Sequence, residues 1–399
     1  MKNRGSQVPP RESRRAKTFA LAAAVVLAAA AAARQGFIYS WKTRGGEFLF
    51  MRYHFSEESA DHPRLQFLRK REKLDEVVAP GKTQFDKIVL LRKWAHDQWV
   101  NHGAFYYPPW DAVEILDLAR KYQNNGFCGQ YSIVFAQAAQ SLGLHVRYVN
   151  LGHFLTEVWS DDYDRWVVMD PTNDWHYERN GIPMNGRELA DAAWHDKGEG
   201  IDKIGSDGSR TPLAADGLKA WRGYTIVTRS DHLSKPIVVK RDGRLEPLTH
   251  QDDYHRYLRL GRDDVSWVGE IMAWVPPDMP AALDPATPAT ADAADFRDVY
   301  NQTFIFVVAK NSRRGFVKLK LLAEHAPEFQ SFVIDGNHET DQEGEVFLSL
   351  KPGVNEFSAR VKTRFGWLGP ESRIKLYYKP DWLSRRGPPT AEELKRGLL

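Results

Sequence analysis

Between residues 85 and 170 the apolar pattern changes period once, and that change limits the folds open to this chain. Phe85, Ile88, Val89, Leu91, Trp94, Ala95 and Trp99 recur at helical spacing with charges between them. Asp111 to Tyr122 repeats the pattern behind Pro108–Pro109, with Asp111 placed to cap. After the turn Asn124–Asn125–Gly126, a third helical run extends from about Cys128 to Leu142 and stops at Gly143. From His145 onward the chain reads as strands: His145–Val149, Phe154–Trp159 and Arg165–Met169, the last two flanking the polar turn Ser160–Asp164. Helices followed by antiparallel strands predict an α+β unit.

A second unit is predicted downstream. Val275 to Ala294 is rich in Pro, Ala, Asp and Thr, a linker composition. Beyond it, Thr303–Val308, Phe316–Leu322, Phe329–Ile334, Glu345–Leu350, Asn355–Val361 and Ile374–Tyr378 are short segments separated by Gly, Pro or Asn. Such spacing, with no helix between, indicates an immunoglobulin-like β-sandwich. The expected division is 1–33 as a basic lead with a signal sequence or anchor, 34–75 as a connecting region, and 76–274 as the α+β unit. The linker at 275–296, the sandwich at 297–380 and a tail at 381–399 complete it.

The N-terminus predicts export. Basic residues run to Lys17, and Thr18 to Ala33 carries no charge over about sixteen residues, at or just under the length that spans a bilayer. Basic before apolar is the order of a signal sequence, and Ala31–Ala32–Ala33 offers cleavage positions. The same run fits a retained anchor with its basic end cytoplasmic, so the chain is expected to be periplasmic, membrane-anchored or secreted. Charge is nearly balanced, 55 basic against 52 acidic residues, and much of the excess sits in the lead; no nucleic-acid partner is expected.

The chain has one cysteine, which excludes an intramolecular disulfide and a cysteine-based zinc cluster. Cys128 follows a glycine turn at the start of a helix, where partial positive charge and free N–H groups favour a thiolate and could hold an oxyanion. A free cysteine is also often a small buried hydrophobe; the flanking Gly126 and Gly129 weigh against tight packing. The hairpin adds a partner. With a turn centred on Asp162 and Tyr163, Trp159 lies opposite Trp166 and Leu155 opposite Asp170, so His153 and Asp170 are diagonal neighbours on one face. An odd-length turn would separate them. Such a carboxylate can fix one imidazole nitrogen and leave the other to the thiol. Glu157, on the same face, reads as a structural partner within the hairpin. Metal-ligand spacing and a phosphate-binding glycine loop are both missing, so no metal and no cofactor is expected.

Taken together, Asn125-Gly-Phe-Cys128-Gly-Gln-Tyr131, His153-Phe-Leu-Thr-Glu157-Val-Trp159 and Arg165-Trp-Val-Val-Met-Asp170-Pro171-Thr172 resemble the core of the transglutaminase-like superfamily. The detail is most similar to its peptide:N-glycanase branch. The resemblance spans about Tyr122 to Asp174. It implies a papain-like core with catalytic Cys128, His153 and Asp170, and a Trp preceding the nucleophile as an oxyanion donor. Trp110 is the candidate, with Trp94 and Trp99 competing and a core aromatic role the alternative. Two departures stand out: Leu155 occupies a position where the family often has Trp, and the zinc-binding cysteine pairs of eukaryotic glycanases are missing. The implied activity is acyl transfer on a protein or peptide, as hydrolysis or amine crosslinking. An inactive binding or scaffolding module and glycan deamidation are the alternatives.

Overall fold

The computed structural model describes residues 24–27, 34–44, 55–100, 110–122, 126–236, 238–241, 244–247, 271–279, 288–296, 299–340 and 344–380. Most of the apolar run at 18–33, the turn residues Asn124 and Asn125 and the tail lie outside them. Among the described residues no helix is long and apolar enough to cross a membrane.

Five helices form one layer: α1 (Pro63–Arg71), α2 (Leu74–Val78), α3 (Gln84–His96), α4 (Ala112–Tyr122) and α5 (Cys128–Ser141). Their ends follow local chemistry. Thr83 and Asp86 close a reciprocal capping box on α3. Asp111 accepts from the Val113 N–H at 2.9 Å at the start of α4 and is itself held by Arg64 at 2.7 Å. Helix α5 ends at Gly143, whose φ of +73° suits glycine. From Gly129 to Ser141 every residue of α5 is buried, because α1, α3 and α4 pack on it from one side and the sheet from the other.

That sheet has ten strands. β2 (Val146–Asn150), β3 (Phe154–Ser160), β4 (Arg165–Asp170) and β5 (Trp175–Arg179) form its antiparallel centre. β6 (Ile182–Pro183), β7 (Ile201–Gly205) and β8 (Arg210–Pro212) extend it beyond β5, and β9 (Thr225–Val227) pairs with β2. A separate hairpin joins β10 (Val238–Arg241) to β11 (Arg244–Pro247). In the β3–β4 hairpin Trp159 does lie opposite Trp166, and the turn is four residues long with Asp164 at φ 55°. Alternation then sorts the two faces. Val158, Val167 and Met169 join the core under the helices. Leu155 and Val168 join a second core, covered by α6 (Gly186–Trp194), Leu218 of α7 (Ala215–Lys219), and Trp221 and Tyr224.

Two segments differ from the sequence-based expectation. The stretch 34–75 is more than a connection: β1 (Phe37–Arg44) is the edge strand of the C-terminal sheet, paired with β20 (Ser372–Lys379), and α1 packs on α5. The alternation of β1 is diluted by Ser40 and Lys42, and its partner lies far away in sequence, so no local pattern reveals it. The Pro/Ala-rich stretch after 274 likewise returns to the ten-stranded sheet. β12 (Ile271–Trp274) pairs with β9, β13 (Ala289–Thr290) runs parallel to β12, and Phe296 is buried in the second core. Small residues fit against an edge strand without lengthening an apolar run, so they read as linker.

The C-terminal unit consists of two antiparallel sheets around one apolar core. β1, β20, β19 (Gly353–Thr363), β16 (Phe329–Ile334) and β17 (His338–Thr340) form one; β14 (Gln302–Asn311), β15 (Phe316–Glu324) and β18 (Glu345–Ser349) form the other. This unit also closes the end of α5. Trp367 Nε1 donates to the Leu142 carbonyl at 3.0 Å, satisfying an acceptor that the helix leaves open, and Phe365 lies against Gly143.

Candidate active site

Cys128 is the first residue of α5, and Phe127, in extended conformation, is its N-cap. The N–H of Gly129 points at the sulfur, as does the N–H of Phe154 at the start of β3. Ser132, one helical turn on, donates to the Phe154 carbonyl at 3.0 Å and so fixes the helix to that strand. Burial pushes the thiol up. The hydrogen bond with His153, the Phe154 N–H, the charge on His153 and the Gly129 N–H outweigh it, leaving Cys128 below its ordinary value of 9.0.

His153 stands one residue ahead of β3, after a tight turn in which Gly152 adopts φ 85°. Its Nε2 lies 3.0 Å from Asp170 Oδ2, which leaves Nδ1 to the thiol. By strand parity His153 and Asp170 belong with Leu155 and Val168, on the face away from α5. The imidazole can still reach Cys128 because His153 precedes the first paired residue, where the ladder no longer fixes a side. Burial pushes its pKa down, but hydrogen bonds to Asp170 and Cys128, and their charges, raise it to about 10. A lowered thiol beside a raised imidazole favours the thiolate–imidazolium form.

Asp170 closes β4 and is 1% exposed, against 37% for the His153 side chain. It accepts from the N–H groups of Thr172 and Asn173 at 3.0 and 3.2 Å, and from Asn173 Nδ2 at 2.8 Å. Every bond it makes is therefore from a donor, which holds the carboxylate as an acceptor for the imidazole. Beneath this turn Arg92, fully buried, donates to Asp174 at 2.9 Å and to His176 Nδ1 at 2.9 Å. Burial and the Arg92 charge push His176 down to about 4, so it stays a neutral acceptor.

Trp110 is a buried member of the core under the helices, with its ring 5.7 Å from Phe154, 5.0 Å from Tyr148 and 4.2 Å from His232. Its carbonyl accepts from Gln137 Nε2 at 2.8 Å. The ring thus borders Phe154, whose N–H faces the thiol. The Trp99 ring lies tilted against Tyr131, centroids 4.3 Å apart, and crowds Gly126, where an added Cβ would lie 2.8 Å from its ring. Glu157 is fully buried and bonded to Arg147 at 2.7 Å, Tyr224 Oη at 2.8 Å and the Gly186 N–H at 2.6 Å. It ties strands and helix together on the far face.

Cys128, His153 and Asp170, each inferred from sequence, thus meet at one end of the sheet. The supports Ser132, Arg92, Gln137 and Asn173 were not inferred. Ser132 alone had a local signal, one turn beyond the cysteine; the others are defined by partners distant in space.

Residues 71–171 match the transglutaminase-like superfamily. No curated protein matches the chain in sequence. Among solved structures, a red sea bream transglutaminase aligns at 9% identity and a TM-score of 0.23, over 79% of this chain and 72% of that one, a likeness too faint to carry an argument. The match over 71–171 takes in α3 to α5, the hairpin and all three site residues, and it identifies this segment as a transglutaminase-like superfamily domain.

Proposed function

We propose that this chain is an exported thiol enzyme that acts on amide or peptide bonds of a protein or peptide substrate. One observation carries the reading: a thiol at a helix N-terminus, beside a histidine that Asp170 holds at 3.0 Å. The Cys128 thiolate attacks the substrate carbonyl, and its electron pair forms the C–S bond while the carbonyl π pair moves to oxygen. Collapse of that oxyanion expels the amine, which takes its proton from His153 Nδ1. A thioester remains. Water, deprotonated by the now neutral His153, releases the acid and restores the pair; an amine in its place would give a crosslink. We favour hydrolysis, since water needs no second binding groove and an amine acceptor does.

The finer features belong to the same proposal. We read the segment as nearest the peptide:N-glycanase branch, Trp110 as an oxyanion donor, the C-terminal unit as an immunoglobulin-like sandwich, and Thr18–Ala33 as the signal or anchor. A binding module would place no demand on all three reacting residues.

Rapid alkylation near neutral pH, lost in His153→Ala, and trapping of an acyl adduct on Cys128 from a peptide library are the expected results. Slow labelling indifferent to His153→Ala would overturn the proposal in favour of an inert module. Release of N-linked sugar from glycopeptides would move the substrate to glycan amides.

A further inference from the structure

The outer face of the five-stranded sheet holds a group of side chains that the acyl-transfer chemistry leaves unused. Along β1 side chains alternate, so Ile38 packs towards the core while Phe37, Tyr39 and Trp41 point outward. Pairing sets Phe37 opposite Lys379, Tyr39 opposite Tyr377 and Trp41 opposite Lys375, with Val354 of β19 on the other side of Tyr377. The rings touch: Phe37 and Tyr377 have centroids 5.8 Å apart, and Tyr39 and Trp41 5.7 Å. Tyr39 is 61% exposed, Val354 59%, Phe37 48% and Tyr377 38%. Lys379 Nζ stands 5.9 Å from the Phe37 ring centre, and Lys375 pairs with Glu356 at 2.7 Å. Single exposed apolar residues are ordinary; a joined aromatic group rimmed by lysines marks a contact surface.

Chain connectivity selects the partner. The uncharged run ends at Ala33, four residues before Phe37. Even fully extended, four residues span at most about 14 Å. With Thr18–Ala33 in a bilayer, Phe37 is confined to the headgroup layer or just above it. Aromatic rings with a polar end, beside lysines whose stems lie on apolar surface, are the side chains that settle there. We infer that the face formed by Phe37, Tyr39, Trp41, Tyr377 and Val354 lies on the outer lipid surface of the membrane that holds the N-terminal run. This rests on the proposed anchor. The tether fixes the distance to lipid and to no other partner, which is why lipid is chosen over a glycan or protein. The contact also orients the catalytic unit, since Trp367 and Phe365 of the same C-terminal unit hold the end of α5.

The test uses the full chain with Cys128→Ser and one new cysteine, Tyr39→Cys or, separately, Val354→Cys, carrying a polarity-sensitive fluorophore. Asp216→Cys, on the exposed helix α7 of the catalytic unit, is the reference. Each protein is reconstituted into phosphatidylcholine–phosphatidylglycerol vesicles. Flotation with the vesicles reports the anchor; emission and quenching by aqueous iodide report the face. The expected result is flotation of all three, with blue-shifted emission and several-fold weaker quenching at positions 39 and 354 than at 216. Flotation with equal quenching at all three positions overturns the lipid-facing surface and leaves the anchor standing. Failure to float overturns both. Protection in detergent that appears only on adding cell-wall glycan assigns the aromatics to glycan and also overturns the inference.

Discussion

Replacing Asp170 by Asn tests the poise of the thiol pair most directly. Two unit charges 3.0 Å apart attract by about 5.5 kcal/mol at an effective dielectric of about 20. The His153 side chain is 37% exposed, so solvent screens much of this; about 2 kcal/mol, within the range for hydrogen bonds to charged groups, is the discounted figure. That corresponds to a fall of about 1.5 pH units in the imidazole, or about a thirtyfold shift from ion pair to neutral thiol and imidazole. Second-order alkylation rates with iodoacetamide, followed against pH, should show it. The wild-type rate should level off at a lower pH than that of an ordinary thiol and stay level towards about 10, where the imidazolium is lost. In Asp170→Asn the upper end of that level region should move down by about 1.5 pH units, to about 8.5. The variant should also lose about 1–3 kcal/mol of stability, because an amide N–H₂ at Oδ2 faces the donors His153 Nε2 and Asn173 Nδ2. A variant profile superposing on the wild type, with the fold intact, would refute the assignment of Asp170.

Arg147→Met should destabilise by about 3–5 kcal/mol in urea titration, because it leaves the fully buried Glu157 without its counter-charge; a change near zero would mean that Tyr224 and the Gly186 N–H suffice. Gly143→Ala should cost at least about 1–2 kcal/mol from its positive φ alone, and more because the new Cβ would lie 2.0 Å from the Phe365 ring; thermal melting reads the loss. Burial raises Asp161 from 3.8 to about 6 despite the His145 charge and the donors Asn301, Trp159 and Gln84. A raised folded value means that its protonated form stabilises the fold at low pH and that this contribution is lost as pH rises through about 6. Measured against Asp161→Asn, wild-type stability should therefore fall by about 3 kcal/mol between about pH 4 and 6 and then stay level; a constant difference would contradict the buried assignment.

Much of the site could be read locally. A hairpin with a four-residue turn fixes its own register, so Trp159 opposite Trp166 and the diagonal approach of His153 and Asp170 follow from side-chain alternation. Cys128 behind a glycine turn and Gly143 beyond the last apolar repeat mark the ends of helix α5 for equally local reasons. The approach of that helix to His153 is different. It depends on Ser132 meeting the Phe154 carbonyl and on His153 standing outside the ladder, neither of which a period of two or of 3.6 encodes. The pairing of β1 with β20, the return of residues 288–296 to the ten-stranded sheet and the capping of Leu142 by Trp367 were likewise decided only in three dimensions. Each satisfies backbone groups left open at an edge or a helix end. Which distant segment fills such a vacancy depends on the packed surroundings rather than on the segment's own sequence.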